Sequence, residues 1–550
     1  MSSLSPQELD VVNKCIRKVA RSRRVAAACV YGSKAAGYSR PKSDIDLLVV
    51  LYDYPYAIKY AYLRESGIDI SALIVDKESL HGDATQGSLG EFAIGRLLHI
   101  YEPIINAELL DSAERIYKRR VILEELQNIV DTAGLLSTDI LFPLEYLAFS
   151  KIKRRIELYP SAVYSYFNTY SASASSKRNL NHALSGYRRA LAGIISEDRQ
   201  LFSRHDDLLR ISEMRISVEK GRTKLKLAKR LREFGAYFVQ TYAGRRIMHL
   251  AIKEAESKIR RHARQDIELP EFLDSPKRAY WRLSEGNLII DSKDWLGDLA
   301  KARGIDDFEI VEKRRLGNVN SRTVLHVIRY DSAYYKVVAK EIAKTKSMKW
   351  AALSLWTAPV KRFKVDPLFR LGTEYKALRY IRNLGLHTPS IEAVVLDRRI
   401  LATRFVEGMT LAQVIKDYIK GKGALGRLKE VGEQIARIHN SGASLGNFKP
   451  KNVIVGDRGL CFTDLEQFSL GPSDQVWDLA QFLCWGLKAT GNSSAAAQVA
   501  RAFIEGYGET THDNSNVAKL ARSRRYIESF YPVLAPSVAR AIKRELKDMA

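Results

Sequence analysis

Residues 31–51 read YGSKAAGYSRPKSDIDLLVVL, and their order decides the fold of the amino-terminal part of the chain. Gly32-Ser33 predicts a tight turn. After a spacer come Asp44 and Asp46, set among Ile45, Leu47, Leu48, Val49 and Val50. An apolar run bounded by turn residues predicts a buried strand. Residues two apart on a strand share a face, so Asp44 and Asp46 project together from one edge of a sheet. Adjacent carboxylates repel unless a cation sits between them, and the pair therefore invites a divalent metal. Asp69, between Ile68 and Ile70, opens a second apolar strand over 68–75. Three carboxylates on neighbouring strands, beside a Gly-Ser turn for phosphates, form a two-metal phosphoryl-transfer site.

The pattern Gly-Ser, spacer, Asp-x-Asp, then hydrophobic-Asp-hydrophobic resembles the DNA polymerase β-like nucleotidyltransferases. The likeness covers roughly residues 20–105. It is nearest to small prokaryotic members, in which Gly-Ser continues as a basic residue, Ala, x, Gly; here that stretch is Lys34, Ala35, Ala36, Gly37, with Lys34 in place of the commoner Arg. The resemblance implies a small mixed sheet with helices. It implies that Gly32, Ser33 and Lys34 bind the triphosphate of an NTP and that Asp44 and Asp46 hold two Mg²⁺ ions. Asp69 would complete the metal site and help deprotonate the incoming hydroxyl. A surface turn followed by capping aspartates accounts for one Asp-x-Asp but not for the whole constellation.

A chain of 550 residues predicts several domains. Its formal charge of +25 is unevenly placed. Residues 1–110 carry 13 basic and 13 acidic groups, residues 111–270 carry 30 against 19, and the remainder 45 against 31. The excess sits outside the proposed catalytic segment. A basic body beside an acidic metal site suits a polyanionic substrate such as RNA, although a generally basic proteome gives the same count. The four cysteines form no CxxC pair or zinc set, which predicts reduced, buried thiols in a cytoplasmic protein. No apolar stretch reaches membrane-spanning length, so no membrane partner is expected. Ser5-Pro6-Gln7-Glu8 predicts a capped amino-terminal helix.

The spacing predicts three regions in an α+β chain: a nucleotidyltransferase domain at 1–110, a basic helical middle at 111–284, and a third domain at 285–550. In the middle, helices are expected near 111–130 and 179–195. Between them lies an aromatic, basic segment containing Tyr146, Phe149, Lys151, Arg154, Arg155, Tyr164, Tyr166 and Tyr170. Such residues either stack bases and hold phosphates or form a core. Short strands at 208–211 and 215–218 would be compatible with a winged helix. A long helical pattern runs from Lys220 to Arg264, carrying a lysine- and arginine-rich face, either solvated or tracking RNA. Pro270 to Pro276 reads as a boundary.

The last third carries a second order of motifs: Val337-Val338-Ala339-Lys340, a helix with Glu374, Gly446-Asn447-Phe448-Lys449-Pro450-Lys451-Asn452, Thr463-Asp464-Leu465-Glu466, and Trp477-Asp478. Over roughly 305–510 this resembles a bilobal protein-kinase-like fold in its small atypical branch, near the aminoglycoside phosphotransferases and the KEOPS-associated kinase. The resemblance implies a Lys340–Glu374 ion pair that orients ATP phosphates, Mg²⁺ on Asn452 and Asp464, a hinge near Glu407, and Asp478 as a loop anchor. Two departures stand out. Asn447 replaces the catalytic Asp, and an amide cannot act as the base at pH 7. The phosphate loop, 313–321, has one glycine rather than three. A pseudokinase or weak ATP–Mg-binding module is expected.

Taken together, the sequence predicts an Mg²⁺-dependent nucleotidyltransferase moving NMP from an NTP to a hydroxyl, most readily on RNA, with a protein acceptor open. The alternatives are a kinase acting on RNA, protein or a small molecule with an amino-terminal nucleotide sensor, and a non-catalytic RNA-binding scaffold.

Overall fold

The computed structural model describes residues 3–41, 43–219, 222–225, 268–317, 322–343, 350–352, 354–355, 357, 360–488 and 490–549. The helical pattern expected from Lys220 to Arg264 lies outside these residues, except for a short strand at Arg222–Leu225. The chain is an α+β protein that divides into two compact units. The first comprises Met1–Thr132, Thr138–Ser217 and Lys224–Arg282; the second comprises Ala133–Ser137, Val218–Thr223 and Leu283–Ala550. Among the described residues, no helix is long and apolar enough to cross a membrane. All four cysteines are free and buried.

The first unit opens with α1 (Pro6–Ala20). Its start is fixed by a capping box: Ser5 Oγ accepts from the Glu8 amide, and the Glu8 carboxylate accepts from the Ser5 amide. Then follow β1 (Val25–Tyr31), a short α2 (Gly32–Ala36), β2 (Ile45–Leu51), β3 (Ile58–Glu65), β4 (Ile68–Asp76), α3 (Lys77–Gln86), β5 (Glu102–Ile105) and α4 (Ala107–Ala133). The five strands lie in the order β3-β4-β2-β1-β5. β2 and β4 are parallel, and the other neighbours are antiparallel. Val11, Val12, Cys15 and Ile16 of α1 pack on one face, against Val30, Leu47, Val49, Ile70, Ala72 and Ile74. Each buried aliphatic side chain contributes about 1.5–3 kcal/mol. A one-residue slip of β2 would drive Asp46 into that core, so the register is fixed.

The middle of the chain adds α5 (Leu144–Leu158), α6 (Val163–Phe167), α7 (Ser176–Glu197) and a hairpin of β6 (Phe202–His205) and β7 (Leu208–Ile211). The β7 segment pairs with the residues before it, whereas the strand expected at 215–218 forms separately at Ile216–Glu219. A short 3-10 turn at Glu213–Arg215, with Arg215 bound to Asp198 at 2.6 Å, separates the two. Most of the aromatic, basic segment is core: Tyr146, Phe149, Tyr166 and Tyr170 are buried, as are Lys151 and Arg155. The buried cations converge on Glu91, with Lys151 at 2.7 Å, Arg120 at 3.0 Å and Arg155 at 3.5 Å. This cluster places the middle helices in the same unit as the sheet.

The second unit carries a six-stranded sheet in the order β8-β12-β13-β11-β10-β9. Its strands are β8 (Asn287–Ile289), β9 (Glu309–Leu316), β10 (Thr323–Tyr330), β11 (Ala333–Glu341), β12 (Ile391–Val395) and β13 (Ile400–Arg404). Between β8 and β9 lies α8 (Trp295–Ala302), whose Trp295, Leu296 and Leu299 cover Val337, Ala339 and Val395. Between β11 and β12 runs α9 (Pro367–Asn383), capped by the Asp366 carboxylate on the Phe369 amide at 2.7 Å. A helical part follows, including α10 (Gly426–Asn440) and α11 (Gln475–Leu487), with β14 (Val453–Gly456) and β15 (Gly459–Phe462) between them.

Burial alone would raise the Glu91 carboxyl, but Lys151, Arg120 and Arg155 outweigh it and hold it well below the usual carboxylate range. With the folded value depressed, the stabilisation is fully present above the unfolded value of about 4.3 and fades as pH falls towards the folded one. Glu91→Gln leaves buried Arg155 without its carboxylate, while Arg120 and Lys151 keep Glu124 at 3.0 and 3.2 Å, and should cost about 3–5 kcal/mol at pH 7. In urea denaturation followed by circular dichroism, the gap from wild type should narrow below pH 4.3 or so. A pH-independent gap would contradict this assignment.

Candidate functional site

Across the parallel β2–β4 pair, Ile45 lies opposite Ile70 and Asp46 opposite Ser71. One step earlier in the same register, Asp44 falls beside Asp69. Across β1–β2, Tyr31 is the partner of Asp46. Tyr62 on β3 is opposite Ser71, and Arg64 is opposite Asp69. Strand alternation therefore puts Tyr31, Asp44, Asp46, Tyr60, Tyr62, Arg64, Asp69 and Ser71 on the face away from α1. All of them line a cleft of about 810 Å³ within the first unit, together with Gly32 and Ser33.

The Gly32 backbone has φ +71°, and a Cβ at this position would stand 2.1 Å from Asp46 Oδ2. Only glycine both adopts this conformation freely and leaves room for the carboxylate. Asp44 and Asp46 are half-buried, and Ser71 Oγ donates to Asp44 Oδ2 at 2.5 Å. Asp69 sits on the rim with 59% of its side chain exposed, and Arg64 Nε lies 3.7 Å away. Lys34 does not line the cleft; its Nζ contacts Glu8 Oε1 at 2.5 Å. The structure thus brings Gly32, Ser33, Asp44, Asp46 and Asp69 to one cleft and turns Lys34 elsewhere.

Residues outside the sequence pattern build the rest of the cleft. The turn after Gly32-Ser33 is held from the helical middle: Arg178 donates to Ala35 O at 2.7 Å and Asn179 to Ala36 O at 2.9 Å. Tyr38 bonds Ser165 Oγ at 2.9 Å, and Arg40 donates to Tyr164 OH at 3.1 Å. On the opposite side, Asp83 accepts from the amides of Leu89, Glu91, Ala93 and Ile94 at 2.9–3.1 Å, shaping the segment that carries Arg96 and His99. The Arg96 guanidinium lies 5.2 Å from the Tyr31 ring and 4.9 Å from that of Phe92, and donates to Tyr60 OH at 3.2 Å. Burial, with Arg155, Lys118 and Arg96 adding to it, holds His99 well below the usual histidine value, so it is neutral at pH 7. The strand 58–65, IKYAYLRE, had an alternating Tyr60-Tyr62-Arg64 signal that sequence reasoning passed over.

The donor set fits Mg²⁺. Two half-buried carboxylates at alternate positions, with a backbone cradle that a Cβ would fill, match an ion that takes one or two carboxylates and completes its shell with substrate phosphates and water. Asp44 and Asp46 would hold it, with Asp69 at the open side.

The second unit gathers the other predicted residues. Lys340 on β11 donates to both Glu374 oxygens of α9, at 2.7 and 3.0 Å, and also to Asp464. Asp464 has φ +58° and accepts from the side-chain amides of Asn447 at 3.1 Å and Asn452 at 3.2 Å. Glu466 is bound by buried Arg370 at 3.0 Å. Oxygens of Glu374, Asp464 and Glu466 come within 4.8 Å of one another, a possible metal set by spacing. The Lys340 ammonium already takes that cation's place, and protein donors reach both oxygens of Asp464. In this arrangement the set does not fit a metal. Burial would raise Asp464, but Lys340 outweighs it and holds the carboxyl well below its usual range. Asp478 on α11 accepts from the amides of Leu445 and Gly446 at 2.6 and 2.7 Å, anchoring the loop that carries Asn447.

Comparison with known proteins bears on the first cleft. Residues 13–81 match the family described as Polymerase beta, Nucleotidyltransferase. This segment is a nucleotidyltransferase domain, of the class that transfers phosphorus-containing groups. The match spans β1 to β4 and includes Gly32, Ser33, Asp44, Asp46 and Asp69. No curated protein matches the chain. Among solved structures, WaaP in complex with acyl carrier protein matches 43% of this chain and 97% of that chain at 13% identity, with a TM-score of 0.27. At that score the likeness bears on neither fold nor activity.

Gly32→Ala should push the turn against Asp46 Oδ2 and weaken binding of a fluorescent NTP analogue about tenfold or more, a loss of about 1.4 kcal/mol. Unchanged affinity would mean that the close approach of Gly32 to Asp46 has no part in binding.

Proposed function

We propose that the chain is an Mg²⁺-dependent nucleotidyltransferase that moves NMP from an NTP to an acceptor hydroxyl, with RNA as the acceptor. The observation that carries this reading is the β2–β4 register, which sets Asp44, Asp46 and Asp69 on one cleft beside the Gly32-Ser33 turn. The family match over 13–81 supports it. In this reading the amides and hydroxyl of the Gly32-Ser33 turn hold the triphosphate, and Asp44 and Asp46 would hold the cations beside it. Bound Mg²⁺ would supply charge stabilisation at the phosphates. The acceptor oxygen attacks the α-phosphorus, the bond from that phosphorus to the bridging oxygen breaks, and pyrophosphate leaves. Asp69, exposed on the rim, takes the acceptor proton. The net charge of +25 supports a polyanionic acceptor.

For the second unit, the reading is a kinase-like module without phosphotransfer. Asn447 stands where a base is needed, and its Oδ1 is buried without a hydrogen-bond partner among the described residues. Lys340 and two amides already satisfy Asp464, which supports a structural or weak nucleotide-binding role.

Incubation of the full chain with α-labelled NTPs and total RNA tests both readings. Label should enter RNA, and Asp46→Ala should lower incorporation at least a hundredfold, about 2.7 kcal/mol of transition-state stabilisation. Equal incorporation by the variant would overturn the assignment. Phosphate transfer from γ-labelled ATP that is lost in Asp464→Ala and kept in Asp46→Ala would instead put the activity in the second unit.

A further inference from the structure

The acceptor side of the cleft contains a feature that the transfer chemistry does not use. Tyr60 and Tyr62 lie two apart on β3, an edge strand, and their rings are stacked, with centroids 5.9 Å apart and planes 11° apart. Tyr62 is 67% exposed, and it lines the cleft. Its register partner is Ser71, which donates to Asp44; the next residue on that face, Arg64, is the partner of Asp69. An exposed aromatic face thus runs directly to the carboxylate proposed to take the acceptor proton. Tyr60 is fixed beneath it, its hydroxyl bound by Arg96 and its ring edge-on to Phe92 at 6.1 Å.

The surrounding charge selects the occupant. Arg40, Arg64 and Arg96 also line the cleft, so cations for a polyanion lie along its walls. The volume of about 810 Å³ lies at the upper end of the ~300–1,000 Å³ usual for one small ligand. A base–aromatic stack tolerates any base, and a flat, exposed ring adjoining arginines is how single strands are held.

Resting on the nucleotidyltransferase reading, we propose that Tyr62, braced by Tyr60, is the stacking platform for the terminal base of a single-stranded polynucleotide acceptor, placing its 3′-hydroxyl at Asp69. That hydroxyl attacks the α-phosphorus of the NTP, a new phosphodiester forms, pyrophosphate leaves, and the proton passes to the Asp69 carboxylate. Tyr62 is a positioning residue and takes no part in bond making.

The test uses the full chain and a 5′-fluorescein-labelled 12-nucleotide single-stranded RNA. A second copy of the RNA carries 2-aminopurine at its 3′ end. Tyr62→Ala should weaken RNA affinity about 5- to 150-fold, the range for losing one stacked base. It should also abolish quenching of the terminal 2-aminopurine and leave affinity for a fluorescent NTP analogue within twofold. Tyr62→Phe should restore both RNA signals. Wild-type NTP binding with no difference in RNA affinity or quenching between wild type and Tyr62→Ala would overturn the platform alone, as would label entering only polypeptide. Absence of NTP binding and turnover by the wild type would overturn the nucleotidyltransferase reading itself. Because Tyr62 is exposed, unchanged circular dichroism of the alanine variant separates positioning from misfolding.

Discussion

The parallel register between β2 and β4 is the constraint on which the rest of the first unit depends. Ile45 opposite Ile70 sends one set of alternating residues into the core under α1 and the other set into the cleft. Aspartates cannot occupy the first set, because burying an unpaired carboxylate costs several kcal/mol. They therefore gather on the second, and the same alternation that builds the core assembles the site. Gly32 adds the other half of the arrangement. Its positive φ and missing Cβ let the turn approach Asp46 closely enough for one ligand to touch both.

The sheet alone leaves that face open. The helical middle region closes it, holding α2 through Arg178 and Asn179 and bonding Tyr38 and Arg40 from 164–165. The Glu91 cluster secures this packing with three buried cations around Glu91, two of them shared with Glu124. A buried pair of this kind adds little net stability over an apolar replacement, but breaking it is costly, so it specifies one arrangement. The middle region is thus part of the cleft's architecture and not an appended basic arm.

The legible part of the sequence was what period and turn chemistry encode. Asp44, Asp46 and Asp69 on adjacent strands, the Ser5 capping box, and the helices at 107–133 and 176–197 all follow from local pattern. Lys34 was misleading because a basic residue after Gly-Ser says nothing about where its long side chain turns, and Glu8 on α1 captures it. Arg96, His99 and Arg155 were illegible for a different reason: their place in the cleft depends on Asp83 and Glu91 gathering distant backbone and side chains. The aromatic, basic segment read equally as surface or core. Its arginine and lysine were drawn inside by Glu91, a partner sixty residues away from Lys151.

In the second unit, Lys340, Glu374 and Asp464 meet as their motifs imply, yet the ammonium occupies the space a metal would need. The two units thus differ in what adjoins their carboxylates: the close-set Gly32 turn beside Asp46 in the first, and the Lys340 ammonium among Glu374 and Asp464 in the second. Counting bound Mn²⁺, as a stand-in for Mg²⁺, in the presence of a non-hydrolysable α,β-methylene NTP tests that difference most directly. The account predicts two ions per wild-type chain, both lost in Asp44→Asn/Asp46→Asn and both retained in Asp464→Asn. Ions retained in the first variant and lost in the second would contradict it.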